Sequence, residues 1–168
     1  MRKKLIYGAI AALVILFAAW MLWPRSLAVG LDDTDTLSAF VTTMGVEIVR
    51  DEYGGPFSSP TVDIKTYRDI AADSDAGIAI RSALDNFTYR LCLDSLTGKQ
   101  DISNIGSLRV SLYGQDDWEC SVYSGTGKCF LNGRIVKITG WGNENVSKLC
   151  TTLAELLQPL ESEEAAGQ

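Results

Sequence analysis

Residues 5–23 form one unbroken uncharged run, whereas beyond Arg25 apolar residues recur only at intervals. The run predicts a single membrane-spanning helix at residues 5–23. Nineteen residues rising 1.5 Å each give about 28 Å, close to the roughly 30 Å hydrocarbon thickness of a bilayer. Arg2, Lys3 and Lys4 precede it and Arg25 alone follows it, which favours cytoplasmic residues 1–4 and an exported remainder. Tyr7, Trp20 and Trp23 stand near its ends, where amphipathic rings prefer the interface. The competing reading is a secretory signal cleaved after Ala28, which would leave the protein secreted. The run exceeds the roughly 7–15 apolar residues usual for such signals, so an uncleaved anchor is favoured.

The remaining pattern predicts a series of short elements. In residues 37–49, Leu37, Phe40, Val41 and Met44 fit helical spacing, with Gly45 as a C-cap. The threonine and valine content of the same stretch favours a strand with an irregular first half. Residues 53–60 read as a loop, being rich in glycine, proline and serine. Residues 61–70 alternate Val62 and Ile64 against Asp63 and Lys65, a strand with one wet face. Ser74 can cap a helix over about 74–90, whose apolar stripe is Ile80, Ala83, Leu84, Phe87 and Leu91. Residues 96–106 form a polar loop.

The strongest β signal follows. Leu108, Val110 and Leu112 alternate with polar residues, as do Trp118, Cys120 and Val122. Two further runs, 128–131 and 134–139, flank Asn132-Gly133, the dipeptide most typical of a two-residue hairpin turn. Asn143 or Asn145 can cap a last helix with a stripe from Val146 to Leu157, ending near Pro159. The fold class expected is therefore α+β: an antiparallel sheet of four to six strands with two helices packed on one face. It would occupy residues 24–160, with an acidic flexible tail at 161–168.

Cysteine placement adds a constraint. Cys92, Cys120, Cys129 and Cys150 all lie in the part expected outside the cell, where an even count suggests two disulfides. A two-residue turn at Ser124-Gly125 would place Cys120 opposite Cys129 in a non-hydrogen-bonded pair, within bridging distance. Cys92 and Cys150 would then join the two helices. No pair has the CxxC spacing of a redox or zinc centre.

Charge narrows the partners. All 21 acidic residues lie beyond Arg25 together with only 11 of the 15 basic ones, so that part carries about −10. Such a balance disfavours nucleic acid and repels anionic lipid head groups. The chain contains no histidine. That removes the commonest general base and zinc ligand, and every Ser-His or Cys-His pair. No cofactor motif and no metal-ligand spacing is present. Asp32, Asp33 and Asp35 lack the alternation of a calcium loop and read as a solvated turn. Asp116, Asp117 and Glu119 beside Trp118 form the one acidic cluster in the β region and read as a solvated turn, since carboxylate-based glycoside hydrolysis needs two carboxyl groups facing one cleft. Gly125-Thr126-Gly127-Lys128 satisfies no phosphate-loop pattern. Asn86 and Asn145 open glycosylation triplets.

These observations lead to the expectation of a non-enzymatic interaction module at the cell envelope, attached to the membrane through residues 5–23. Its partner would be a protein, peptide or envelope component. An accessory subunit or assembly factor that uses the apolar helix itself as interface is the alternative, and a hydrolase of envelope polysaccharide the remote one.

Overall fold

A computed structural model of the chain describes residues 2–50, 56–98, 106–139 and 144–166. Helix α1 (Arg2–Leu22) leads into a two-residue strand β1 (Arg25–Ser26), then the long strands β2 (Leu37–Arg50) and β3 (Pro56–Ile70). Helix α2 (Asp75–Asp85), strand β4 (Thr88–Leu91) and the short helix α3 (Leu93–Thr97) follow. Strands β5 (Leu108–Tyr113), β6 (Glu119–Tyr123), β7 (Lys128–Leu131) and β8 (Arg134–Ile138) precede helix α4 (Glu144–Ala166). One antiparallel sheet of eight strands results, in the order β1-β4-β8-β7-β6-β5-β2-β3.

This corrects the expectation of four to six strands and two helices. The added strands are β1, only two residues long, and β4, which falls inside the stretch expected to be helical to residue 90. Helix α2 stops at Asp85 with Asn86 as its C-cap. Thr88–Leu91 then pairs with both β1 and β8, burying Tyr89 and Leu91. Their stripe positions suit a strand as well as a helix, and tertiary pairing decides between them. At its start α2 follows expectation, since Ser74 accepts from the Gly77 N–H at 3.0 Å.

The membrane-spanning helix is also corrected. Among the described residues no helix is long and apolar enough to cross a membrane. The apolar part of α1 runs over 6–22, about 25 Å of rise against roughly 30 Å of hydrocarbon. Trp23 and Pro24 lie outside the helix.

Residues 37–45 are strand, with a register shift between Leu37 and Ala39 where Asp69 on β3 takes a positive φ of 54°. The extra residue of this bulge lies on β3, so β2 itself runs unbroken where an irregular first half was expected. Residues 56–60, expected as loop, extend β3 instead. Pro60 is tolerated because β3 is the sheet's edge strand. The remainder of the expected 53–60 loop, and residues 99–105 of the 96–106 loop, lie outside the described residues.

One sheet face is the core. Ala39, Val41, Val110, Leu112, Cys120, Val122, Cys129, Leu131 and Val136 are buried there under α4, with α2 beside it. Helix α4 contributes Val146, Leu149, Cys150, Leu153 and Leu157, and α2 contributes Ile80 and Leu84. Each fully buried leucine stabilises by roughly 1.5–3 kcal/mol relative to exposure. Helix α4 continues past Pro159, because Leu160 beyond it still packs against the core. Of the two asparagines expected to cap it, Asn143 is outside the described residues. Asn145 lies in the first turn and donates to the Thr139 carbonyl at 3.3 Å.

Candidate interaction surfaces

Strand β5 pairs with β2 only across Ser38–Thr43, while β2 and β3 remain paired out to Arg50 and Pro56. The excess length projects as a two-stranded ribbon. Alternation places Met44, Val46 and Ile48 on one face, with Val62 opposite Met44 and Ile64 opposite Thr42. This is the face turned away from α2 and α4, because it continues Ser38 and Phe40 while Ala39 and Val41 point into the core. Val46 and Ile48 are 70% and 74% exposed, and Val62 and Ile64 are each 60% exposed. Glu47 and Asp63 occupy the ribbon's other face. The pattern is thus a wet strand pair with its apolar side outermost, the reverse of ordinary burial. An isolated hairpin of this kind is marginally stable in water, and an uncovered edge strand invites pairing.

The ribbon's apolar face runs into a polar and aromatic patch on the sheet. Phe40 meets Tyr113 edge-on at 5.5 Å between ring centres, and the Arg109 guanidinium lies 5.3 Å from the Tyr123 ring centre. Arg109 Nε donates to Ser111 Oγ at 2.9 Å, and Ser111 and Ser121 share a 2.8 Å hydrogen bond. Both serines are buried, and Glu119 accepts from Ser121 at 3.4 Å. Burial raises the Tyr123 hydroxyl above the ordinary tyrosine range, against the lowering effect of Arg109. Ser111, Ser121 and Arg109 are hydrogen-bonded to one another at the patch centre, which suits recognition through rings and a fixed guanidinium.

At the opposite end of the sheet, α1 leaves near β4. Its side chains from Ile6 to Leu22 include no charge and are exposed except at Met21, which packs against the core. Arg25 closes it, donating to the Trp20 carbonyl at 3.1 Å with its guanidinium 5.1 Å from the Trp20 ring centre. Beside Leu22, a cavity of about 200 Å³ is lined by Arg90, Lys137 and Thr139. Register places Lys128 opposite Lys137 and Lys137 opposite Arg90, three cations in a row across β7, β8 and β4. Only the sheet register brings them together. Single-sequence reading shows three isolated charges in an acidic chain and misses the row.

The residues singled out by sequence resolve differently. Asp116 and Asp117 are exposed on the β5–β6 turn with positive φ of 51° and 61°. Glu119 lies on the open sheet face, so the three carboxylates are not gathered into one cleft. Trp118 is buried instead, its indole N–H donating to the Val29 carbonyl at 3.2 Å. The Asp32–Asp35 turn is solvated at Asp32 and Asp33, as expected, and anchored at its far end. Asp35 is buried, and Arg81 donates to the Asp32 and Asp35 carbonyls, each at 2.6 Å. Lys128 pairs with Asp94 of α3, which raises its ammonium above the usual range through that hydrogen bond. Among the described residues no group of three histidine, cysteine or acidic side chains could hold a metal ion.

All four cysteines are free thiols, which corrects both expected disulfides. The β6–β7 connection spans four residues rather than two, so Cys129 faces Val122 and Cys120 faces Leu131. The two cysteines are diagonal neighbours. A thiol hydrogen bond from Cys120 and then burial raise Cys129 well above the usual thiol range. Cys150 lies by the Leu108 and Val122 carbonyls, and Cys92 by the Ile135 carbonyl, too differently placed for a bridge. Burial pushes the Cys150 thiol up to about 12.

In comparisons with known proteins, the chain matches no family model, no curated protein and no solved structure.

Proposed function

We propose that the protein is a non-enzymatic interaction module at the cell envelope, associated with the membrane through α1 and presenting the β2–β3 ribbon to a protein or peptide partner. The observation that carries this reading is the stripe of Met44, Val46, Ile48, Val62 and Ile64, exposed on the ribbon face turned away from α2 and α4. Solvent exposure of several adjacent branched side chains is costly unless a partner covers them. The edge of β3 adds unpaired backbone groups, so an extended segment could add as a further strand. Membrane association rests on residues 6–22 of α1, which carry no charge on any side and therefore suit an apolar phase better than water.

The double substitution Val46→Glu, Ile48→Glu tests the ribbon. Both side chains are exposed, so thermal stability should change by no more than about 0.5 kcal/mol while partner recovery from native membranes in mild detergent is lost. A variant that recovers the same partners as wild type removes the ribbon from the proposal.

A second reading has its own support, since the uncharged surface of residues 6–22 of α1 also suits packing among the helices of a membrane complex. The protein would then be an accessory subunit. Exchanging residues 5–23 for an unrelated apolar helix separates the two: the ribbon-based module keeps its partner, and the helix-based subunit loses it.

A further inference from the structure

We infer that Arg90 and Lys137, at the base of α1, bind the phosphate of an anionic lipid head group. The inference rests on the membrane association proposed above and deepens it. Lys128, Lys137 and Arg90 stand directly opposite one another on three adjacent strands. Like charges in that relation destabilise a sheet, so the arrangement calls for a counter-anion. Asp94 supplies one to Lys128. Asp85, the other nearby carboxylate, accepts from the Ser26 hydroxyl at 2.8 Å. The side chains of Arg90 and Lys137 have no hydrogen-bond or ion-pair partner among the described residues, and both residues are exposed.

The position of the pair selects the anion. Arg90 and Lys137 line the roughly 200 Å³ cavity together with Leu22, the last residue of α1, and Thr139, whose hydroxyl donates to the Thr88 carbonyl at 2.9 Å. With α1 resting on a membrane, the Trp20–Arg25 end of the helix and this cavity beside Leu22 lie next to the head groups. A guanidinium and an ammonium side by side, with an apolar wall where acyl chains begin, match a phosphodiester attached to lipid. The overall negative charge of the chain does not prevent this, because charges farther than about 8–10 Å are largely screened at physiological salt.

Flotation of the full chain with neutral phosphatidylcholine vesicles, and with vesicles also containing phosphatidylglycerol, tests the inference. Wild type should favour the anionic vesicles, and Arg90→Gln, Lys137→Gln should lose about thirtyfold of that preference while still floating with neutral vesicles. Arg90→Lys, Lys137→Arg, which keeps both charges, should retain it. Equal preference in wild type and the glutamine variant overturns the head-group site and leaves membrane association standing. Failure of wild type to float with either vesicle overturns the association itself, and this inference with it. Loss of the anionic preference on adding millimolar inorganic phosphate would assign the site to free phosphate and overturn the lipid assignment.

Discussion

Cys129 stands directly across from Val122, two pairs along the ladder from Cys120 on the same sheet face. The four-residue connection 124–127 sets this register, and it leaves two fully buried thiols side by side without a bridge. The protein should therefore release four thiols to a quantifying reagent in denaturant without reductant. In the native state the half-buried Cys92 should react first, and Cys120, Cys129 and Cys150 only upon unfolding. Peptide mass analysis after alkylation distinguishes them, and two thiols missing from the denatured count would restore a disulfide.

Alkaline pH should destabilise the fold through these same thiols. Burial raises Cys150 to about 12, whereas an unfolded cysteine titrates near 8.5. A thiol with a raised folded pKa contributes its full stability below the unfolded value, and that stability is lost as pH rises toward the folded one. Urea midpoints should therefore be flat below about pH 8 and decline above pH 9. Cys150→Ala should start lower through its lost packing but decline less steeply. Parallel slopes for the two proteins would contradict the assignment.

Gly77 inverts the usual effect of alanine in a helix. Replacing a mid-helix glycine by alanine ordinarily gains about 0.5–1 kcal/mol. Here an added Cβ would lie 2.1 Å from the Ala71 carbonyl oxygen and 3.1 Å from that of Ala72. Backbone atoms cannot yield as a side-chain tip can, so Gly77→Ala should lower the thermal midpoint. A rise would mean that the turn before α2 shifts freely.

Arg81 joins α2 to the chain leaving β1, capping the carbonyls of Asp32 and Asp35. Arg81→Ala removes both bonds, and because the Asp32 carbonyl keeps the Asp35 N–H and lies at the surface, it should cost about 0.5–1.5 kcal/mol in chemical unfolding. Arg81→Lys should recover only part of this, because one ammonium lacks the fork that reaches both oxygens.

Local chemistry explains which parts of this fold were legible from residues. Asn132-Gly133 places Leu131 opposite Arg134 and Phe130 opposite Ile135, as a two-residue turn requires. Ser74 caps α2 for an equally local reason. What depended on loop length or on distant partners was not legible. Residues 124–127 admit two registers differing by two residues, and only the folded sheet chooses between them. Strand β4 follows α2 so closely that Phe87 and Leu91 complete a helical stripe on paper. The apolar alternation of Val46 and Ile48 announces a strand, but nothing nearby reveals that its apolar face is uncovered. The Arg90–Lys137 pairing likewise exists only through register between strands far apart in the chain.

Photocrosslinking in native membranes tests the interaction account most directly, with a photoreactive residue placed at Ile48, Val62 or the exposed Lys148 of α4. The account requires discrete adducts to a shared partner from Ile48 and Val62, and none from Lys148. Absence of adducts at both ribbon positions, or the same adducts from all three, would contradict it.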